Sequence, residues 1–211
     1  MNNAKRLAAL LGECGVDALL LTSPENRFYA TGFESTAGLA LITPEKNYFF
    51  TDFRYFEAAS KIEGFELSMV GNDRNYTVLI NEVLEEHNIK RLGYEDLKMS
   101  VMEHAKLQKA LHAEMVPTGY AIYSARASKA DWEIDRMKKA QEISERALDD
   151  VLGIIRPGLT EKEIAAELVY RMLKYGAENT SFDPIVVSGK NSSMPHGVPS
   201  HKKIEDGDFV T

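Results

Sequence analysis

Apolar residues at Leu7, Leu10 and Leu11 recur at helical spacing and predict an amphipathic helix over residues 4–12, which Gly15 can stop. Residues 17–22 (DALLLT) are a nearly unbroken apolar run, the pattern of a strand buried on both faces. Ser23-Pro24 then opens a short helix through Tyr29, with Pro24 at its first position. Residues 38–43 and 47–52 read as two strands, and Pro44-Glu45-Lys46 between them predicts a hairpin. The pattern continues with a helix over 53–61, a strand over 65–70 and a helix over 75–86. A strand over 91–94, a helix over 100–111 and a strand over 114–117 complete it. Strands alternating with helices predict an α/β domain with a mixed sheet.

The texture changes near residue 120. Ile134, Met137, Ala140, Ala147, Val151 and Ile155 form one apolar stripe, predicting a single long helix over 128–155. Ser128 and Asp131 can cap its start, and Arg156-Pro157-Gly158 ends it. Thr160 and Glu163 have the spacing of a capping box, opening a helix with Ile164, Leu168 and Met172 inward that stops at Gly176. Residues 182–188 read as a strand. The turn at 205–208 launches Phe209-Val210, a strand that has barely begun at Thr211. The expectation is the front part of a longer protein. No internal repeat or low-complexity segment is present.

Composition narrows the function classes. The hydrophobic fraction of 44% supports packed cores rather than disorder. Net charge is −7, and no basic patch with interleaved aromatics occurs, so nucleic acid is not an expected partner. No apolar run has the length of a membrane span. Glu13 and Asp17 interrupt the N-terminal leucines, which argues against a signal peptide. The single cysteine, Cys14, reads as a small buried hydrophobe. These features predict a cytoplasmic location.

Candidate chemistry is sparse. The histidines are His87, His104, His112, His196 and His201, with no HExxH pair and no cysteine-rich metal pattern. His104 and His112, eight apart, could share a helix face, and His201 beside Lys202-Lys203 reads as surface. Glu161 and Glu163 are accounted for by helix capping, and Asp206 and Asp208 by turn chemistry. No glycine-rich phosphate loop and no assignable Ser-His-Asp set occur. His196 stands apart: Pro195 and Pro199 stiffen its loop, and Gly197 allows close approach. It is either a functional group held on a rigid loop or an ordinary loop histidine. Ser188-Gly189-Lys190-Asn191 before it is a turn or a backbone recess for a ligand.

Several stretches resemble one family. Residues 154–168 (IIRPGLTEKEIAAEL), 181–199 (SFDPIVVSGKNSSMPHGVP) and 207–211 (GDFVT) resemble the opening of the pita-bread metallopeptidases, in their Xaa-Pro dipeptidase and aminopeptidase P branch. Residues 23–33 (SPENRFYATGF), 35–38 and 49–59 (FFTDFRYFEAA) resemble the creatinase-type N-terminal domain of the same enzymes. The implied fold is an α/β creatinase-like N-terminal domain with a mixed sheet over 1–122. The first part of an α+β pita-bread catalytic domain follows over 123–211.

The resemblance implies a peptidase acting on proline-containing peptides at the bond preceding proline. It uses two divalent metal ions, manganese or cobalt, to generate a hydroxide and polarise the carbonyl. His196 matches the family histidine that hydrogen-bonds substrate and stabilises the tetrahedral intermediate, without binding metal. Phe182, Ser188 and Asn191 are candidates for the substrate pocket. The first metal-binding aspartate is expected two positions beyond Thr211 and the other four ligands further on. No metal is therefore expected on this chain alone, and the 211 residues by themselves are expected to be inactive. A homodimer is expected, and the aromatic cluster Tyr48, Phe49, Phe50, Phe53, Tyr55 and Phe56 is either interface or core. The alternatives are a metal-free creatinase-like hydrolase and a non-catalytic peptide- or protein-binding member of the same fold.

Overall fold

The computed structural model describes residues 3–211 and resolves into two compact units, one running to Ser128 and the other spanning Lys129–Thr211. In the first unit, helices α1 (Ala4–Ala8) and α2 (Leu10–Cys14) follow one another through Ala9, whose backbone is itself helical. Gly15 ends the run in the left-handed conformation at φ 61°, as the sequence predicts. Strand β1 is Ala18–Leu21, and α3 is Pro24–Thr31, with the Ser23 side chain accepting from the Asn26 N–H at its start. Then come β2 (Leu39–Ile42), β3 (Asn47–Thr51), α4 (Phe53–Ala59), β4 (Glu66–Met69) and α5 (Tyr76–Glu86). The unit closes with β5 (Arg91–Tyr94), α6 (Val101–Ala110), β6 (Glu114–Pro117) and α7 (Gly119–Ala127).

Among the described residues the strands form one six-stranded sheet in the order β4-β3-β2-β1-β5-β6. The pairs β1–β2 and β2–β3 are antiparallel, and the others are parallel, so the sheet is mixed. Its register follows from burial on both faces. Leu19 opposes Ile42 and Leu21 opposes Ala40, and all four enter the core with Leu7, Leu11, Ala30 and Ile122. Leu20 opposes Leu41, and these turn to the other core with Leu79, Ile80, Val83 and Leu84 of α5. A one-residue slip would exchange the two sets. The aromatic run splits the same way. Tyr48, Phe49 and Phe50 are core on alternate faces, whereas Phe53 is 78% exposed.

Helix α7 is the element that periodicity missed, and it carries the first unit past position 122. It is positioned by β-strand ends: the Asp96 carboxylate accepts from the Gly119 N–H at 2.7 Å and the Thr118 hydroxyl donates to the Tyr94 carbonyl at 3.0 Å. Ile122 anchors it in the core.

In the second unit, α8 (Asp131–Leu152) packs on α9 (Glu161–Lys174). The start of α8 differs from expectation. Ala130, not Ser128 or Asp131, is the N-cap, and Glu133 reaches back to the Ala130 N–H at 2.9 Å. Val151, Ile164, Ala165, Val186 and Ile204 form the core of this unit. Near the far end of α9, Arg171 pairs with Asp150 at 2.9 Å and with Glu167 at 2.7 Å, and the Arg146 guanidinium lies 3.9 Å over the Tyr175 ring. The strand expected over 182–188 is corrected: the segment makes a single bridge, Ser188 to Val210. Val187 and Thr211 exchange two backbone hydrogen bonds of 2.9 Å, and Gly189 donates to the Phe209 carbonyl at 2.8 Å. Pro184 brings no N–H to a ladder.

Candidate functional site

The second unit places its most distinctive chemistry where α9 begins. Thr160 is the N-cap, its hydroxyl accepting from the Glu163 N–H at 3.2 Å, while Glu163 accepts from the Thr160 N–H at 2.7 Å. That capping box needs only Glu163. Glu161 does something else: it is fully buried and collects hydrogen bonds on both oxygens. Its Oε1 accepts from the Ser188 N–H at 2.7 Å, the Ser188 hydroxyl at 3.2 Å and Asn191 Nδ2 at 3.1 Å. Its Oε2 accepts from the Ser200 N–H at 3.0 Å and the Ser200 hydroxyl at 2.6 Å.

Burial pushes the Glu161 carboxyl up, but the bonds from Ser200, Asn191 and Ser188 outweigh it and hold the group at about 2. It is an anion at any physiological pH. The Lys202 ammonium stands next to the network, donating to the Ser188 hydroxyl at 3.1 Å and to Asp208 at 2.6 Å. The hydrogen bond from Lys202 lowers the Asp208 carboxyl. Asp208 therefore does more than shape its turn, although it also accepts from the Glu205 N–H at 3.0 Å.

The residues singled out from the sequence fall on two sides of this network. Ser188 is fully buried and half-buried Asn191 lies in the 3-10 turn Gly189–Ser193; the polar atoms of both turn to Glu161. Gly189 sits at φ 53°, and a Cβ there would overlap the Asp208 carboxylate. His196 is exposed at the tip of a turn in which the Gly197 N–H donates to the Met194 carbonyl at 3.1 Å. Pro195 precedes it with φ preset for the first corner of such a turn. Gly197 is buried, and a Cβ on it would lie 2.6 Å from Val187 Cγ1. The loop is thus pressed against the core at its base and open at its tip. Phe182 is 72% exposed. Glu161 is what sequence reasoning missed. Its place one residue after an N-cap made capping a sufficient account, and its partners at 188, 191 and 200 meet it only through tertiary folding.

Three of the other histidines have ordinary partners, and His201 is exposed. His104 stacks on Tyr94 with ring centroids 4.7 Å apart, His112 pairs with Glu85 at 3.0 Å, and His87 hydrogen-bonds the Tyr48 hydroxyl at 2.6 Å. Among the described residues, no three His, Cys, Asp or Glu side chains come together as a metal-binding group. No helix among them is long and apolar enough to cross a membrane.

The model of the creatinase/prolidase N-terminal domain matches residues 4–128, and that of metallopeptidase family M24 matches residues 135–211. The chain is 40% identical over 98% of its length to an uncharacterized peptidase of Bacillus subtilis, covering 59% of that protein. Among solved structures it is similar to an Xaa-Pro dipeptidase from Bacillus anthracis, with 38% identity and a TM-score of 0.89, over 99% of this chain and 58% of that one. An X-Pro aminopeptidase from Thermotoga maritima gives 33% identity and a TM-score of 0.89, over 100% of this chain and 60% of that one. The chain spans about three fifths of the length of these relatives. These matches support the expected fold, a mixed α/β unit followed by the first part of a pita-bread domain. With more than half of its residues matched by the first model, the chain belongs to the creatinase/prolidase N-terminal domain family, and its remaining residues from 135 on are similar to metallopeptidase family M24.

Proposed function

We propose that the protein carrying this chain hydrolyses the peptide bond preceding proline, as an Xaa-Pro dipeptidase or aminopeptidase. The observation that carries this reading is the exposed His196, held on a turn whose base is pinned by Gly197 against Val187, in a chain similar to two such enzymes. In this reading His196 donates a hydrogen bond to the substrate beside the scissile peptide. It stabilises the negative charge that develops in the tetrahedral intermediate. Phe182 offers an exposed apolar face to the same substrate, and Ser188 and Asn191 shape the floor of the site from below. Two divalent metal ions, manganese or cobalt, would supply the nucleophilic hydroxide when bound. Their ligands are assigned to residues outside this chain, so the 211 residues alone do not turn over substrate. The protein acts in the cytoplasm, where a lone thiol such as Cys14 stays reduced, and it works as a homodimer.

The test is proline release from an Xaa-Pro dipeptide and from a longer Xaa-Pro peptide. A protein of the relatives' length that includes this chain should cleave one or both with manganese or cobalt present. His196→Ala should lower its turnover by about 100- to 1,000-fold, the loss expected for one oxyanion-stabilising donor. Unchanged turnover in that variant overturns the role of His196. Robust cleavage by the 211 residues alone overturns the assignment of the metal ligands to residues outside them.

A further inference from the structure

The loop that presents His196 leaves the core at residues 188–191, touches it again at Gly197 and is tied back at residue 200. Both stems end on one side chain. Glu161 Oε1 takes Ser188 and Asn191 from the outgoing stem, and Oε2 takes Ser200 from the returning stem. We propose that Glu161 is the positioning residue of the His196 loop, a buried carboxylate that fixes the separation of the two stems and so the placement of the imidazole. This inference rests on the reading of His196 given above.

Three further observations favour positioning over a purely local role. First, capping does not require Glu161. Thr160 and Glu163 already satisfy the helix start reciprocally, and a buried carboxylate is costly unless its oxygens are well supplied with donors. Second, the hydrogen-bond polarity is consistent along each branch. The Lys202 N–H donates to the Ser200 hydroxyl at 3.1 Å, and that hydroxyl donates to Oε2. On the other branch the Lys202 ammonium donates to the Ser188 hydroxyl, which donates to Oε1. Neither serine has rotational freedom left. Third, backbone bonds of 3.1 Å from Glu161 to the Lys202 carbonyl and from Lys162 to the Ser200 carbonyl tie the returning stem to the same helix start. With Gly197 resting on Val187, the tied stems leave only the exposed tip, where His196 lies, open to solvent.

The experiment compares Glu161→Gln, Ser200→Ala and the control Glu163→Gln. Amide hydrogen exchange on the 211-residue chain reads the loop directly. Turnover of an Xaa-Pro dipeptide by the protein carrying the chain reads its consequence. Glu161→Gln should accelerate exchange across residues 189–199. It should also lower kcat by about 100-fold with KM changed only a few-fold, the signature of a misplaced group rather than a lost binding contact. Ser200→Ala, which frees one stem and keeps the carboxylate, should do both to a smaller extent. Glu163→Gln should lower the melting temperature and leave loop exchange and kcat as they are. A Glu161→Gln protein that loses only melting temperature, with loop exchange and kcat unchanged, overturns the proposal. If Glu161→Gln does not fold, Ser200→Ala decides: faster exchange in the loop upholds the proposal and unchanged exchange overturns it. The loop readout does not depend on activity. An inactive role for His196 would be seen in His196→Ala turnover while exchange in Glu161→Gln still tests the clamp.

Discussion

The Ser200 hydroxyl donates to Glu161 Oε2 at 2.6 Å across 39 positions of sequence, closing a loop of chain around a single buried carboxylate. This contact makes the stability of the second unit depend on acid in a definite sense. Glu161 has an ordinary value of 4.5 and sits at about 2 in the fold. A carboxyl lowered by folding contributes fully above its unfolded value and loses the contribution as pH falls toward the folded one.

Acid unfolding therefore provides the first prediction. Between about pH 4.5 and about pH 2 the wild-type chain should lose on the order of 3 kcal/mol through Glu161 alone. Asp208 and Glu163, lowered by Lys202 and by Thr160 respectively, act in the same direction. Urea midpoints measured across that range should fall more steeply for the wild type than for Glu161→Gln. Parallel curves would show that the carboxylate does not set the acid response.

Gly197 and Val187 should be energetically coupled. A Cβ at Gly197 would stand 2.6 Å from Val187 Cγ1, and Val187 is fully buried, so Gly197→Ala should cost about 1–3 kcal/mol by overpacking. In a Val187→Ala background the same change should cost less, with a coupling of at least about 0.5 kcal/mol. Additive urea midpoints for the two substitutions would refute the contact.

Gly189 is constrained twice, by φ 53° and by the Asp208 carboxylate beside its missing Cβ. The left-handed conformation costs an alanine roughly 1–2 kcal/mol before the steric overlap is added. Gly189→Ala should therefore lower stability by more than that strain. It should also weaken the Lys202–Asp208 pair, seen as a rise in the Asp208 pKa by NMR titration.

The first unit holds its own buried carboxylate. Glu95 is fully buried and accepts from the Ser23 N–H at 2.8 Å and the Ser23 hydroxyl at 2.6 Å, with Thr22 and Asn26 as further donors. Glu95→Gln turns an amide NH2 toward donors and should cost about 2–4 kcal/mol. Glu25→Gln, which removes the half-exposed partner of Lys98, should cost less than about 1 kcal/mol. Thermal melts of the two variants compare them directly, and similar shifts would contradict the difference in burial.

Most of the first unit was legible because its signals are local. The apolar run Ala18–Leu21, the Ser23-Pro24 start and the left-handed Gly15 each determine an element from neighbouring residues. Helix α7 was not legible. Its start is a glycine held by Asp96, and its core contact is the single buried Ile122, so neither a capping side chain nor a long apolar stripe announces it. The strand expected at 182–188 failed for the converse reason. β-rich composition states a preference, and Pro184 within the segment has no N–H to give a ladder.

The sequence by itself determined the alternation of helices and strands, the Thr160–Glu163 capping box and the stiff loop around His196. Each depends on residues within a few positions, where chain geometry leaves little choice. Only the tertiary structure decided that Glu161 is not a cap. It set which serine hydroxyls and which asparagine meet that carboxylate, and that position 197 must lack a Cβ because Val187 lies behind it. Those relations join positions that sequence spacing does not connect. Burial, which turns an ordinary glutamate into a strongly held anion, exists only once the surrounding segments have packed.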